Sequence, residues 1–326
     1  MGFWTGSRVL VTGGAGFIGS HATELLLREG ARVTVASRRA SPPFLRPVLA
    51  DVDLRIGDLD EPSFCRGVVA RQEIVLHLAG HVGGLDYNRS RHAELFTRNL
   101  GPFLNVLAAS RAAGVGRLLV TSSACVYPRD CSNPIPERDG THGEPEPTNA
   151  GYGWAKRMQE YLGAAWMRET GVPVAIARPF NAYGPRDEFR PERSHVIPAL
   201  LRRALAGEDP FVVWGSGEQT RSFLYVKDFA RGLLLIAERH PAGEALNLGG
   251  GEEVSIRTLV EHVLEATGRS PQVAFDASRP EGQPRRSCDT ARMRAVLGWE
   301  PVTPLAQGLR ETVAWMEAAG PDYGRA

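Results

Sequence analysis

The feature that most constrains this fold is a glycine triplet placed directly after a short β-rich run. Residues 8–12 (RVLVT) precede GGAGFIG, and an apolar-periodic helix follows to about Glu29. Glycine lets the chain turn tightly and lets a pyrophosphate approach the positive N-terminus of the helix. This strand–turn–helix context predicts a dinucleotide-binding unit. The residues expected against the dinucleotide are Gly13, Gly16, Phe17, Ile18 and Gly19.

Strands alternate with helices along the first half of the chain. Strand-like runs follow at 32–36, 54–56, 74–78, 118–121 and 173–177, and helical patterns at 94–113 and 152–170. Such alternation predicts an α/β fold with a Rossmann-type doubly wound parallel sheet. After residue 180 the texture changes to short helices, Pro/Gly turns and isolated strands. We therefore expect a Rossmann domain over 1–180, rejoined by 228–250, and a smaller C-terminal α/β substrate-binding lobe from 181–227 and 251–326.

The residues after the second strand indicate which dinucleotide is bound. NAD sites place Asp or Glu there for the ribose 2′-OH, whereas NADP sites favour a cation for the 2′-phosphate. This chain has Arg38 and Arg39 there, and no carboxylate before Asp51. NADP(H) is therefore predicted rather than NAD, the alternative being that both arginines are solvated loop residues. After the third strand, Asp58 and Leu59 are expected near the adenine, with a turn role as the alternative for Asp58.

Tyr152 and Lys156 stand four residues apart, on one face of a predicted helix. A nearby ammonium favours tyrosinate, so the phenol can exchange a proton with a sugar or alcohol oxygen near neutral pH. Only Lys156 and Lys227 of the 38 basic residues are lysines, which makes a lysine at this spacing more notable. With Ser123 just after a strand, we predict a catalytic serine, tyrosine and lysine, the last two also contacting the cofactor.

Composition narrows the possible partners and the compartment. Lys+Arg 38 against Asp+Glu 37 gives a formal charge of +1, which leaves no basic field for nucleic acid or an anionic membrane. The chain has no long apolar run and no signal-peptide layout at its start. Its four cysteines form no C-x-x-C pair, which argues against a zinc site or a disulfide framework. We expect a cytoplasmic protein without a metal, nucleic-acid or membrane partner.

A series of motifs resembles one known family over nearly the whole chain. The motifs are GGAGFIG, HLAGHVGG, TSSACVYP, YGWAK, RPFNAYGP, WGSGEQTRSFLYVKD and RPEGQPRR. In this order they resemble the extended short-chain dehydrogenase/reductases that act on nucleotide sugars. SACVYP and GPRDEFRPERSHVIPALLRRA are similar to the branch of GDP-L-fucose synthases and GDP-mannose 3,5-epimerases. The resemblance implies a homodimer that binds NADP(H) in its first domain and a nucleoside diphosphate sugar in its second.

Cys125 and His195 are the residues that carry the likeness to this branch. A 4-keto sugar has acidic protons at C3 and C5, and inverting either centre needs a base on one face and an acid on the other. A thiol and an imidazole can divide these roles, and they can form an ion pair if the pocket supports it. The alternatives are a small buried hydrophobe for Cys125 and a residue at a helix start for His195.

Six further positions resemble those that hold the substrate in this family. Guanidinium groups bind phosphate oxygens bidentately, an indole offers a stacking face, and an amide can orient a sugar. Ordinary surface or packing roles are the alternative for each. The six are Asn181, Arg203, Trp214, Arg221, Glu281 and Arg285.

The resemblance implies 3,5-epimerisation and 4-keto reduction of a GDP-4-keto-6-deoxyhexose. The alternatives are a redox-neutral GDP-mannose 3,5-epimerase and, from another class, a non-catalytic NADP-binding regulatory protein. His195 stands where the 3,5-epimerases use a lysine, and the acidic residue that they generally have after the second strand is absent. Both departures favour the reductase. The nucleotide of the substrate can be GDP, dTDP or UDP, and the inverted centre can be C3, C5 or both.

Overall fold

The computed structural model describes residues 2–83, 85–250, 252–279 and 282–320, with only the backbone of Leu85 and Asp86. The strands are β1 Arg8–Thr12, β2 Arg32–Ser37, β3 Val52–Ile56, β4 Ile74–His77, β5 Arg117–Thr121, β6 Val174–Pro179, β7 Ala182–Tyr183, β8 Phe211–Trp214, β9 Thr220–Ser222, β10 Leu224–Tyr225, β11 Ala242–Leu248, β12 Glu253–Ser255, β13 Val273–Asp276 and β14 Arg285–Arg286. The α-helices are α1 Phe17–Arg28, α2 Pro62–Val69, α3 Leu85–Ser90, α4 His92–Ala113, α5 Ala150–Thr170, α6 Val196–Leu205, α7 Val226–Arg239, α8 Ile256–Thr267, α9 Ala291–Leu297 and α10 Leu305–Ala319. Short 3-10 segments cover Pro43–Asp51, Ala124–Val126, Glu137–Thr141 and Pro147–Asn149.

The central sheet has seven strands in the order β3-β2-β1-β4-β5-β6-β11, all paired in parallel. Alternate residues of β1 face opposite sides, because successive side chains of a strand point to opposite faces. Val9 and Val11 pack with α1 and α7, whereas Leu10 packs with α2, α4 and α5 on the other side. Full burial of each such side chain contributes about 1.5–3 kcal/mol. The predicted α/β class and doubly wound parallel sheet are confirmed.

The glycine turn between β1 and α1 has a physical requirement for glycine at two of its three positions. Gly13 has φ +69°, a conformation that L side chains rarely adopt, and a Cβ there would lie 2.8 Å from the Ala79 nitrogen. A Cβ on Gly19 would lie 2.0 Å from the Gly13 carbonyl oxygen. Gly16 is exposed and meets only that same oxygen, at 3.3 Å. Gly13 and Gly19 therefore close the turn, and Gly16 leaves its surface open to a ligand.

The remaining strands form small sheets outside the central one. Strands β8 and β13 pair in parallel, β9 lies between β12 and β14, and β7 pairs with β10. Helices α6, α8 and α10 share an apolar core with these elements, formed by residues such as Leu201, Phe211, Leu259, Val263 and Leu309. This second core stands beside the carboxyl ends of the central strands, where open α/β sheets bind their ligands.

The sequence-based element boundaries need small corrections. The third strand begins at Val52, not Leu54, and the helix that carries Tyr152 begins at Ala150. The connection between residues 128 and 150 contains two of the short 3-10 segments. Among the described residues, no helix is both long and apolar enough to cross a bilayer. In the same residues, no group of three or more His, Cys, Asp or Glu side chains could hold a metal ion.

Candidate active site

A cleft of about 900 Å³ lies between the carboxyl ends of the central strands and the second apolar core. All of the residues predicted to bind the cofactor line it, as do the five predicted catalytic residues. The predicted cofactor residues are Gly13, Gly16, Phe17, Ile18, Gly19, Arg38, Arg39, Asp58, Leu59, Tyr152 and Lys156. The predicted catalytic residues are Ser123, Cys125, Tyr152, Lys156 and His195.

The end of the cleft beside β2 has the character of an anion site. Arg38 and Arg39 are exposed and line it. The Ser37 hydroxyl accepts a hydrogen bond from the Arg39 amide at 3.0 Å, which fixes the turn that presents both guanidinium groups. Asp58 also lines the cleft, while its Oδ1 accepts a hydrogen bond from the Asp60 amide at 3.1 Å. Two cations, an open glycine turn and no carboxylate at the end of β2 fit the 2′-phosphate and diphosphate of NADP.

Lys156 is buried at the floor of the cleft, one helical turn after Tyr152 on α5. Its ammonium donates hydrogen bonds to the Thr121 carbonyl at 2.8 Å and to Gln159 Oε1 at 3.0 Å. Nζ lies 5.5 Å from the centre of the Tyr152 ring. Burial lowers the pKa of Lys156 to about 8, and the Glu160 carboxylate opposes this shift. The lysine therefore stays charged at neutral pH, but with less margin than a solvated lysine.

Tyr152 is half-buried and its hydroxyl is protonated at neutral pH. Burial raises its pKa, Cys125 adds to the rise when its thiol is ionised, and a hydrogen bond with Ser123 opposes it. Burial outweighs the lowering expected from the nearby Lys156 ammonium, so the net shift of this pKa is upward. In this state the ammonium donates to the Thr121 carbonyl and to Gln159. Tyr152 is thus set up as a proton donor.

Cys125 and His195 face the same cleft from different elements. Cys125 follows β5 in a 3-10 turn, and the Ser123 hydroxyl caps this turn by accepting a hydrogen bond from the Cys125 amide at 3.1 Å. Burial raises the pKa of the thiol, and the positive charge of Arg286 opposes the shift. His195 immediately precedes α6. Its ring reaches solvent, yet the surrounding protein displaces enough hydration to lower its pKa. Both shifts favour a neutral thiol and a neutral imidazole over an ion pair.

Two of the six predicted substrate contacts line the cleft. Asn181 follows β6, and its side-chain amide donates to the Ser222 carbonyl at 3.0 Å. Arg221 lies on β9, where it is half-buried and its Nη1 donates to the Thr220 carbonyl at 2.7 Å. Both side chains are therefore held on the wall of the cleft by backbone carbonyls of β9.

Three other predicted contacts are not brought to the cleft. Arg203 bonds with Glu208 and with the Val212 carbonyl, and packs 4.7 Å from the centre of the Phe211 ring. Arg285 is exposed and forms a two-pronged ion pair with Glu253, at 2.7 and 2.8 Å. That pair lowers the pKa of the Glu253 carboxyl to about 2.

Trp214, at the end of β8, is 59% exposed and has the Arg279 guanidinium over its ring at 5.4 Å. Trp214 does not line the cleft, so a stacking role for it stays a prediction. Ligand contacts of Arg203 and Arg285 also stay predictions. Glu281 falls outside the described residues.

The cleft also contains four arginines that the sequence did not single out: Arg98, Arg186, Arg193 and Arg286. Arg286 donates to the Ala124 carbonyl at 2.6 Å, beside Cys125. It pairs in register with Arg221 on the neighbouring parallel strand, so both side chains rise from the same face. The signal was present in the sequence as the doubled arginine at 285–286. Only the strand register decides which of the two faces the cleft.

Comparison with known proteins identifies the family. The NAD dependent epimerase/dehydratase family matches residues 9–249. Probable GDP-L-fucose synthase 1 of Oryza sativa subsp. japonica is 34% identical over 315 residues, which cover 95% of this chain and 92% of that protein. The dTDP-4-dehydro-6-deoxy-D-allose reductase of Streptomyces bikiniensis is 36% identical over 319 residues, covering 96% and 97%.

The fold is similar to that of solved structures with related names. A GDP-L-fucose synthetase from Naegleria fowleri, solved bound to NADP, has a TM-score of 0.82 and 26% identity, covering 99% of this chain and 96% of that one. The match of the family extends over more than half of the chain, through the glycine turn, Tyr152 and Lys156. The chain therefore belongs to the NAD dependent epimerase/dehydratase family, the extended short-chain dehydrogenase/reductases, and is an enzyme.

Proposed function

We propose that this enzyme uses NADPH to reduce a nucleoside diphosphate 4-keto-6-deoxyhexose at C4 and inverts C3, C5 or both beforehand. The observation that carries the proposal is the convergence of Ser123, Tyr152, Cys125 and His195 on one cleft. The first two suit proton transfer at a keto oxygen, and the last two suit proton exchange at the adjacent carbons. A cleft for binding alone would not need four such groups together.

Reduction adds a hydride to C4 and a proton to O4. Bound NADPH would supply the hydride. Tyr152, protonated because of its raised pKa, donates its phenolic proton to O4 as negative charge develops there, and Ser123 donates a hydrogen bond to the same oxygen. The resulting tyrosinate lies near the Lys156 ammonium, which stabilises it until a proton returns from solvent.

Inversion at C3 or C5 removes a proton from one face and returns one to the other. Because the neighbouring C4 is a ketone, loss of that proton gives an enolate. The neutral imidazole of His195 can accept the proton, and the neutral thiol of Cys125 can donate the replacement. After one inversion His195 is an imidazolium and Cys125 a thiolate, so a second inversion can run in the opposite sense, or in the same sense after both groups re-equilibrate with solvent.

Arg221 and Arg286 are the groups that we propose for the diphosphate of the sugar nucleotide. Their positions in register put two guanidinium groups on one face of the cleft, and guanidinium groups bind phosphate oxygens bidentately. GDP is the nucleotide that we propose for the substrate, because of the similarity to GDP-L-fucose synthases. A second candidate is reduction of a dTDP-linked 4-keto sugar without inversion. The similarity to the dTDP-4-dehydro-6-deoxy-D-allose reductase favours it, since that identity is just as high.

The proposal is tested by mixing the purified enzyme and NADPH with GDP-4-keto-6-deoxymannose or with dTDP-4-keto-6-deoxyallose. Absorbance of the reduced cofactor reports the reaction. We expect one cofactor oxidised per GDP-sugar consumed, and product stereochemistry read by NMR. Oxidation with the dTDP-sugar alone would select the second candidate. If neither sugar oxidises NADPH, although both are shown to be intact, the reductase proposal is refuted.

The cofactor preference gives a separate prediction. Arg38→Ala should weaken NADPH binding by about 10- to 100-fold, because it removes a charge-assisted contact to the 2′-phosphate. NADH lacks that phosphate, so its affinity should not change. Fluorescence titration of the reduced cofactors measures both constants. Arg55→Ala is the matched control, an exposed arginine paired with Asp53 on β3. An equal loss of affinity for NADPH and NADH would show that Arg38 does not bind the 2′-phosphate.

A further inference from the structure

Gln159 is a fully buried amide directly behind the predicted catalytic lysine. It lies on α5, and its Oε1 accepts a hydrogen bond from Lys156 Nζ at 3.0 Å. Its Nε2 donates to the backbone carbonyl of Asn99 on α4 at 2.8 Å. Because both ends of the amide are used, its orientation is fixed, with the oxygen toward the ammonium.

The partner of this amide is itself fixed to the cleft. The Asn99 side chain accepts from the His81 amide at 2.8 Å and donates to the His81 carbonyl at 2.8 Å. His81 and the neighbouring Gly80 line the cleft. A Cβ on Gly80 would lie 3.9 Å from Lys156 Nζ, so this segment passes close to the ammonium. Gln159 therefore connects the lysine to α4, which in turn holds one wall of the cleft.

We propose that Gln159 is a positioning residue that holds the Lys156 ammonium in one orientation and stabilises its charged form. The proposal rests on the proposed function, in which Lys156 binds the cofactor ribose and stabilises tyrosinate. An ammonium has three protons. The Thr121 carbonyl and Gln159 take two of them, which leaves the third for the cleft.

The surroundings of Lys156 make its charged form depend on each hydrogen-bond acceptor. Burial disfavours its charge, and four titratable groups face it from three elements: Tyr152 and Glu160 on α5, Cys125 after β5, and His77 on β4. Glu160 favours the charged lysine, although its carboxylate also bonds with Arg178. Burial and the lysine keep His77 neutral by lowering its pKa. A hydrogen bond from a charged donor to a neutral amide oxygen then stabilises the ammonium without adding a charge.

The chain offers a direct test because it contains only two lysines. Protein labelled with ¹³C at the lysine ε-carbon gives two side-chain NMR signals, assigned with a Lys227→Arg variant, and a pH titration follows Lys156. In Gln159→Leu we expect the Lys156 midpoint to fall by about one pH unit, because a hydrogen bond to the charged form is lost. In Gln159→Glu a carboxylate replaces the amide oxygen, and the midpoint should rise. The Lys227 signal is an internal reference.

The matched control is Gln72→Leu, which removes a half-buried glutamine that donates to Thr34 at 3.0 Å on β2, far from the lysine. It should leave the Lys156 titration unchanged. An unchanged midpoint in Gln159→Leu, or a fall in Gln159→Glu, overturns the proposal, and the second variant decides if the first does not fold. The measurement needs neither substrate nor cofactor. Failure of the reductase assay therefore leaves this result intact, and the two proposals can fail separately.

Discussion

Tyr152→Phe is expected to lower kcat for reduction by about 10²- to 10⁴-fold, the usual contribution of a positioned general acid. The substitution removes one oxygen and leaves the ring that packs near the Lys156 ammonium. The Tyr152 hydroxyl holds its proton at neutral pH and hydrogen-bonds with Ser123, the other group proposed to act at O4. Binding of NADPH should change little, because the glycine turn, the arginines after β2 and Lys156 are all retained.

Single-turnover oxidation of NADPH measures the chemical step, and fluorescence titration measures cofactor binding. Tyr161→Phe is the control, a tyrosine on the same helix that is 61% exposed. It should behave as the wild type in both measurements. A Tyr152→Phe enzyme that reduced the sugar at the wild-type rate would remove Tyr152 from the acid role, and Ser123 would then be the next group to test.

The parts of the site that are local in sequence could be predicted. The turn depends on the positive φ of Gly13 and on the contact of Gly19 with the Gly13 carbonyl, both within the first 19 residues, so the spacing predicts it. Tyr152 and Lys156 face the same way because one helical turn separates them. The parallel sheet follows from alternating strands and helices, since a right-handed crossover leaves few arrangements. Chain geometry decided each of these features over short distances.

The parts that depend on pairing between distant segments could not be predicted. Arg285 and Arg286 are identical in type and adjacent, and the register of β14 against β9 puts the second one beside Arg221. The protonation states also escaped sequence reasoning, because burial raises the pKa of Tyr152 more than neighbouring groups lower it. Burial is a property of the assembled fold.

The second large effect is expected at Cys125. Cys125→Ala should lower the rate of inversion at C3 or C5 by about 10²- to 10⁴-fold, because the substitution removes the proposed proton donor from one face of the sugar. Reduction at C4 needs Tyr152, Ser123 and Lys156, none of which is changed. The enzyme should therefore become a reductase that no longer inverts its substrate.

Incubation with the 4-keto sugar in D₂O without NADPH, read by NMR, isolates inversion and proton exchange from the reduction. Cys131→Ala is the matched control, a half-buried cysteine at which the charge of Arg286 also opposes the rise in pKa caused by burial but which does not line the cleft. Inversion that persists in Cys125→Ala and disappears in His195→Ala would assign both proton transfers to the imidazole. If the wild type itself exchanges neither proton while reducing the sugar, the pair has no epimerase role. The raised pKa of the thiol and the lowered pKa of the imidazole would then describe only two neutral groups that accommodate a sugar ring.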